Sequence, residues 1–257
     1  MRPVLGVIPA RLGSTRLPRK PLYTLAGRPL LEWVWMRVVA TELFDSVVIA
    51  TDSDEVAETA RAFGAEVELT LDSHPSGTDR VAEVAQLPRF SDIDYIVNIQ
   101  GDEPFVRHDH LAAAVALVRD ENWEIGTVAS LIGTQQSLRD PAVVKVVRAD
   151  DGSALLFSRA PIPHVRDGGP SAEQFASGAF LRHIGIYSYQ RHALLEWVSR
   201  PESELERLER LEQLRPLVAG FRIGVSLVDA AEPGVDTPED AERAERQLQT
   251  ELRTADL

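Results

Sequence analysis

The sequence has no cysteine among its 257 residues. Disulfides, thiolate metal sites and cysteine nucleophiles are therefore excluded. It also lacks any apolar run near the ~18 residues that a membrane helix needs, so no membrane span or membrane partner is expected. Residues 1–9 are too short in apolar character for a signal peptide and read as a first strand. Positive charge is scarce: 27 Lys and Arg against 40 Asp and Glu give a formal net charge of −13. No block of Lys or Arg occurs, so the basic face of a nucleic-acid binder is missing. An acidic enzyme can still hold anions, but only locally, with a few cations, backbone N–H groups and a divalent metal. Apolar material, by contrast, is plentiful at 44%, which excludes disorder as the whole account. The length suits one large α/β domain or two small ones, because cores stop growing near roughly 250–300 residues. Together these counts point to a soluble, cytoplasmic protein.

Short apolar runs alternate with amphipathic stretches. Residues 4–8 form a strand that ends at Pro9. Leu30, Leu31, Val34, Trp35, Val38 and Val39 recur at helical spacing, predicting a helix over about 29–41. Residues 46–50 are a continuous apolar run, as a buried parallel strand requires. Asp52 or Ser53 caps a helix to about Phe63, with Gly64 as its stop signal. Strands at 66–69, 95–99 and 126–132 then alternate with helices at 79–87 and 109–119. This alternation predicts a doubly wound α/β sheet.

Beyond residue 140 the texture changes. Strands are expected at 143–147, 154–158 and 181–189 with no long helix between them, and 163–178 reads as a loop. Ser203 and Glu206 have capping-box spacing, and Leu205, Leu208, Leu211 and Leu214 mark one face of the helix that follows. A strand at 225–228 and a charged helix at 238–252 complete the pattern. We expect a single domain over 1–257, with 140–190 an antiparallel insertion and dimer platform. Val144, Val146, Leu155, Phe157, Ile184 and Ile186 have no evident cover there, and an uncovered apolar patch usually marks an interface.

Four segments carry chemistry. The first is Pro-Ala-Arg-Leu-Gly-Ser-Thr-Arg-Leu-Pro-Arg-Lys-Pro-Leu at 9–22, at the carboxyl end of the first strand, where open α/β sheets bind ligands. Gly13 allows close backbone approach, and Ser14 and Thr15 supply donors. Arg11, Arg16, Arg19 and Lys20 are the densest cations in the chain, a set suited to a triphosphate. The spacings of a Walker A loop and of a dinucleotide fingerprint are both missing. A solvated basic turn is the plain alternative, and a loop lysine is expected to be exposed and of little weight in folding.

The second segment, His-Pro-Ser-Gly-Thr-Asp-Arg at 74–80, precedes a helix. Gly77 and the first helical N–H groups can address a flat polar ring; Ser76 or Thr78 can equally be an ordinary N-cap, and His74 purely structural. The third, Asn-Ile-Gln-Gly-Asp-Glu-Pro at 98–104, puts Asp102 on a glycine turn after a buried strand, a natural place for a Mg²⁺ ligand or for a simple turn. The fourth, Gly-Val-Asp-Thr-Pro-Glu-Asp at 234–240, has Asp236 or Thr237 as helix cap and Pro238 in the first turn. In the second half, Arg159 stands alone at a strand exit, suited to a carboxylate. His183 and Tyr187 share a strand face. Glu212 and Gln213 lie between two leucines on a helix.

The loop at 9–22 resembles the signature of sugar nucleotidyltransferases. Its Pro-Ala-Arg and Ser-Thr-Arg-Leu-Pro-x-Lys-Pro-Leu elements resemble the cytidylyltransferases that activate 3-deoxy-manno-octulosonate (Kdo). That family commonly has a small residue where Arg19 stands. The likeness runs from residue 4 to about 243 and is weakest over 163–178 and the last dozen residues. It implies a Rossmann-like nucleotide-diphospho-sugar transferase fold, with a mostly parallel central sheet flanked by helices and a smaller strand-rich insertion for dimerisation. It also implies transfer of CMP from CTP to the anomeric hydroxyl of Kdo, giving CMP-Kdo for lipopolysaccharide synthesis and pyrophosphate. Arg11, Ser14 and Lys20 would hold the phosphates, Ser76, Gly77 and Thr78 the base, and Gln100 the base or the sugar. Asp102 and Asp236 would share one Mg²⁺ that lowers the pKa of the attacking hydroxyl, with a second Mg²⁺ on the triphosphate. Lys20, Arg11, Asp102 and Asp236 form the catalytic set. Arg159, His183, Tyr187, Glu212 and Gln213 would bind Kdo, and a homodimer is implied. An amino-Kdo or another 2-keto sugar acid is the nearest alternative substrate, and a non-catalytic nucleotide-sugar sensor the alternative of another class.

Overall fold

Val4, Leu5, Val7 and Ile8 are all buried, and a strand with no polar face needs neighbours on both edges. The computed structural model, which describes residues 3–14, 16–166 and 168–255, supplies them. β1 (Val4–Ala10) leads through a small ribbon, β2 (Thr24–Leu25) and β3 (Arg28–Pro29), to α1 (Leu30–Val39). Then come β4 (Ser46–Thr51), α2 (Asp54–Ala62), β5 (Glu66–Leu69), α3 (Gly77–Ala85) and β6 (Tyr95–Asn98). β1 pairs in parallel with β4 on one side and β6 on the other, and β4 pairs with β5. The chain thus runs outward from β1 to β5 and then crosses to the far side of β1. In open α/β sheets such a reversal opens a crevice at the carboxyl ends of the two strands that flank it. Here those are β1 and β6, the strands that carry the first and third segments.

Local chemistry sets the element ends. Ser53 caps α2 by accepting from Val56 N, and Gly64 stops it at φ +91°. β1 does not end at Pro9, as expected, but continues through it to Ala10. Val7 O accepts from Ile99 N, so Pro9, two residues on, turns its missing donor to the same side. β6 has ended there, and no ladder bond is lost.

The chain divides into two compact units, one running through His108 and resuming at Ala231, the other spanning Asp109–Ala230. The second contains α4 (His108–Arg119) apart from its first residue, then β7 (Ile125–Leu131), α5 (Gln135–Arg139), β8 (Lys145–Arg148), β9 (Ala154–Ser158) and α6 (Ala172–Ala176). It continues with β10 (Leu181–Gln190), α7 (Arg191–Ser199), α8 (Glu204–Glu209), α9 (Leu214–Val218) and β11 (Ile223–Leu227). β7 pairs in parallel with β11 and antiparallel with β10; β8 pairs antiparallel with both β10 and β9. α10 (Pro238–Ala255) belongs to the first unit. There Ala241, Ala244 and Leu248 pack into one cluster with Leu17, Leu25, Leu30, Trp33 and Val235. Each such buried leucine stabilises the fold by roughly 1.5–3 kcal/mol.

Several expectations need correction. The loop at 163–178 contains one helical turn, α6, opened by a Ser171–Gln174 capping box. α7 was not anticipated, although Ala193, Leu194 and Trp197 give it a buried face. The Ser203 capping box is present, but α8 stops at Glu209 because Arg210 is left-handed, φ +51°. Leu205 and Leu208 are exposed while Leu211 and Leu214 are buried past the break. A strict three-residue spacing drifts around a 3.6-residue helix, so the four could not share a face. Glu212 and Gln213 accordingly lie in the turn before α9, not on a helix. Finally, Val146, Phe157, Ile184 and Ile186 are buried in the chain itself. The exposed large apolar side chains in that section, among the described residues, are Leu155 and Leu156, with Leu131 before it at the end of β7.

Candidate active site

The glycine turn after β6 is shaped by the end of β1. A Cβ at Gly101 would lie 2.8 Å from Pro9 O, closer than side-chain carbons approach, so only glycine lets the turn pass. Asp102 follows directly. Its carbonyl accepts from Val235 N at 2.8 Å, which ties the segment before α10 to this turn. Val235 and Leu17 share the apolar cluster described above, so the same packing holds the loop at 9–22 and the start of α10.

Three residues singled out from sequence meet here. Lys20 Nζ donates to Asp102 Oδ2 at 2.5 Å and to Asp236 Oδ1 at 2.9 Å. Burial pulls the lysine pKa down, but the charges and hydrogen bonds of Asp102 and Asp236 more than reverse this, leaving it above its ordinary value. With a side chain only 18% exposed, Lys20 is not the exposed loop lysine expected. Arg16 also reaches Asp236 Oδ1, at 3.1 Å. The capping question at α10 is settled as well. Thr237 Oγ1 accepts from Asp240 N at 3.2 Å, and Asp240 Oδ2 accepts from the Thr237 and Asp236 N–H groups at 3.1 and 3.2 Å. Thr237 is the cap, and the Asp236 carboxylate remains for cations. Arg19 pairs with Glu55 and is held at φ +56°, a left-handed conformation that favours a residue without bulk.

The second segment frames the same end of the sheet. Ser76 caps α3: its Oγ accepts from Asp79 N at 3.3 Å and donates to Asp79 Oδ2 at 2.6 Å. The ordinary capping reading therefore holds for this side chain, leaving the backbone at Gly77 and Thr78 to meet a ligand. A Cβ on Gly77 would sit 3.5 Å from Pro9 Cγ, so the segment lies beside the end of β1. Arg80, 3% exposed, braces it from below through Asp52 Oδ2 at 2.7 Å and through Thr70. His74 pairs with Glu83, in keeping with a structural role. Ser14 Oγ accepts from Leu17 N at 3.3 Å, and Arg11 is exposed at the end of β1. Gln100 lies in the turn before Gly101. Thr15 lies outside the described residues.

The sugar-binding candidates other than Gln100 belong to the second unit. His183 pairs with Ala129 and Tyr187 with Thr127 across a two-residue bulge, so the two do share a face, with ring centroids 5.2 Å apart. Thr127 Oγ1 donates to Ile186 O at 2.8 Å. It therefore accepts from His183 Nε2, 2.9 Å away, which leaves Nδ1 as an acceptor. Burial raises the Tyr187 pKa well above its usual range, with Tyr189 and the Glu212 charge adding to this. The Tyr187 hydroxyl has no partner among the described residues. Gln213 is buried. Arg159 Nε donates to Glu209 O at 2.8 Å and Nη1 to Pro141 O at 2.9 Å. Two residues beside it escaped sequence reasoning. Glu209 accepts from Ser158 Oγ at 2.5 Å and Arg159 N at 2.9 Å. Lys145 is fully buried; the available signal was a lysine in the middle of the β-branched run 143–147.

Burial also pushes the His183 pKa down to about 3, with the Arg182 charge adding to this. The unfolded chain, with histidine near 6.5, then binds the extra proton as pH falls. The stability contributed by neutral His183 is present above 6.5 and is lost below it, at up to about 1.4 kcal/mol per pH unit. Melting temperature measured from about pH 7 to about pH 4.5 should fall less steeply in His183→Gln than in the parent. Equal slopes would show that this ring does not stay neutral.

Among the described residues, no group of three or more His, Asp or Glu converges as a metal site. One cationic nitrogen nevertheless bridges Asp102 and Asp236, so a single cation can reach both. A hard divalent ion that keeps waters and takes phosphate oxygens needs no more protein ligands than these two. The donor set therefore fits Mg²⁺.

Comparison with known proteins gives the family. Residues 5–223 match the model of a family described as Cytidylyltransferase. The chain is 52% identical over 242 residues to a 3-deoxy-manno-octulosonate cytidylyltransferase of Gemmatimonas aurantiaca, covering 94% of this chain and 93% of that one. It is similar to a CMP:2-keto-3-deoxy-manno-octonic acid synthetase solved in complex with CTP. There the TM-score is 0.88 at 37% identity, covering 97% of this chain and 99% of the other. A 4-diphosphocytidyl-2C-methyl-D-erythritol synthase from Anaerococcus prevotii, 11% identical with a TM-score of 0.64, shares the fold.

Proposed function

We infer that this chain, which belongs to the cytidylyltransferase family and within it to the Kdo enzymes, catalyses the CTP-dependent activation of Kdo to CMP-Kdo. The observation that carries this reading is the meeting of Lys20, Asp102 and Asp236 at the switch point of the sheet, in a chain similar to Kdo cytidylyltransferases over nearly its whole length. CMP-Kdo is the activated sugar for lipopolysaccharide synthesis.

The anomeric oxygen of Kdo attacks the α-phosphorus of CTP in line. An O–P bond forms, the proton of the anomeric hydroxyl passes to solvent, the bond from the α-phosphorus to the bridging oxygen of the β-phosphate breaks, and pyrophosphate leaves. Arg11, Ser14 and Lys20 hold the triphosphate and offset the charge that develops on it, which is most of what phosphoryl transfer asks of a protein. For Lys20 this means exchanging a carboxylate for a phosphate oxygen. Asp102 and Asp236 would hold Mg²⁺, which supplies Lewis-acid polarisation and a lowered hydroxyl pKa when bound. The backbone at Ser76, Gly77 and Thr78, with Gln100, reads the cytosine edge. Arg159 takes the Kdo carboxylate. His183, Tyr187, Glu212 and Gln213 address its hydroxyls, and a sugar lacking one would leave buried polar groups unpaired.

Pyrophosphate release tests the assignment. CTP with Kdo should release it, UTP poorly, because the two pyrimidines exchange a donor for an acceptor at one edge position. Equal use of ATP or GTP would sink the base assignment, and a panel of 2-keto sugar acids separates Kdo from its amino analogue. The reading also takes the active species as a homodimer. Full activity from material that light scattering shows to be monomeric would contradict that part.

A further inference from the structure

Lys145 is 0% exposed and has no part in the reaction described above. A buried ammonium is costly unless every N–H is matched. Here its three N–H groups donate to three backbone carbonyls: Arg159 O at 2.5 Å, Val143 O at 2.6 Å and Asp140 O at 2.9 Å. Burial lowers its pKa, while the charges of Asp140 and Glu209 work in the opposite sense. Among the described residues no carboxylate bonds it directly. In a buried strand position an apolar side chain of similar volume would commonly give equal or greater stability. Stability alone therefore does not account for a lysine here, and what it connects does.

Two of its acceptors lie in the loop 140–143 and the third is the carbonyl of Arg159. Lys145 stands opposite Ser158 in the β8–β9 register, next to Arg159. The Arg159 guanidinium grips the same loop, through Nη1 to Pro141 O. Lys145 and Arg159 thus clasp one short loop from the two paired strands. On the other edge of β8, His183 N donates to Val144 O at 2.9 Å. The strand that carries Lys145 is therefore bonded to segments carrying two of the sugar-binding candidates.

We propose that Lys145 is a positioning residue for Arg159: by tying the 140–143 loop to the Arg159 carbonyl, it sets the direction in which the guanidinium meets the Kdo carboxylate. The proposal rests on the reading of Arg159 as the sugar-acid contact.

The test uses the full chain at saturating Mg²⁺ and measures KM for Kdo, KM for CTP and kcat by pyrophosphate release. Lys145→Met should raise KM for Kdo about tenfold or more, with KM for CTP and kcat within about twofold. Lys145→Gln, which keeps two donors, should fall between, and it decides the matter if the Met variant does not fold. In an Arg159→Met background, Lys145→Met should add less than about twofold, because residues acting through one contact are not additive. If Arg159→Met raises KM for Kdo and neither Lys145 variant does, the inference is overturned while the Arg159 reading stands. Equal losses for CTP and Kdo overturn it in favour of a general structural role. An Arg159→Met enzyme with unchanged KM for Kdo removes the Arg159 reading and this inference with it.

Discussion

Asp236→Asn is expected to abolish turnover, by about a thousandfold or more in kcat, while CTP still binds within a few-fold of normal. The size follows from the several kcal/mol that a bound metal contributes to transition-state charge stabilisation. Asparagine keeps the shape and removes the charge. The substitution does not touch the start of α10, because Thr237 and Asp240 provide the capping box. Nor does it cost much stability: the pair with Arg16 is largely exposed, at 66% and 41%, and Lys20 keeps Asp102 and can still donate to the amide oxygen that replaces the carboxylate. Asp102→Asn should behave alike, and the double variant should be little worse than either single one, as expected of groups that act on one ion. Calorimetry for CTP and single-turnover kinetics at saturating Mg²⁺ separate binding from chemistry. Near-normal turnover of Asp236→Asn under those conditions would be fatal to the shared-ion mechanism.

Lys20→Met should lower kcat/KM for CTP by about a hundredfold or more, the scale on which a single electrostatic stabiliser acts. A second effect follows from its position. With the ammonium gone, the Asp102 and Asp236 carboxylates face one another without the cation that bridges them. The variant should therefore melt below the parent in EDTA, and added Mg²⁺ should raise its melting temperature more than it raises the parent's. A variant with normal turnover would remove Lys20 from the phosphate site. One whose melting is indifferent to Mg²⁺ would show that the carboxylates do not share an ion.

The first half of the fold was legible because period and punctuation agree there. The run at 46–50 and the Gly64 stop each had one sensible structural reading and form as read, and of the two cap candidates, Asp52 and Ser53, the serine takes the cap. Misreadings arose where a backbone conformation overrode the pattern. Arg210 breaks α8 in a left-handed conformation that nothing in its side chain announces. Pro9 stays in a strand because its neighbour happens to end first. For the site, the sequence contained the motifs but not their meeting. Asp236 could be a cap or a ligand on local evidence, and only Thr237 taking the cap separates the two. Lys145 was hidden for a related reason: its role depends on three carbonyls that sequence cannot place.

The split of the first unit has a consequence for how the chain matures on the ribosome. The segment Asp109–Ala230 is continuous in sequence, whereas the first unit is built from two stretches and waits for Ala231 onward. Asp236 is synthesised 216 residues after Lys20. Until α10 arrives, Leu17, Leu25, Leu30 and Trp33 lack the partners that complete their cluster, and an uncovered apolar surface of this kind is what chaperones engage. A nascent chain, or one clipped before Asp236, has the loop at 9–22 and the turn at Asp102 but only half of the carboxylate pair. On the proposed reading, catalytic competence is thus acquired late in biosynthesis, once the segment carrying Asp236 has emerged.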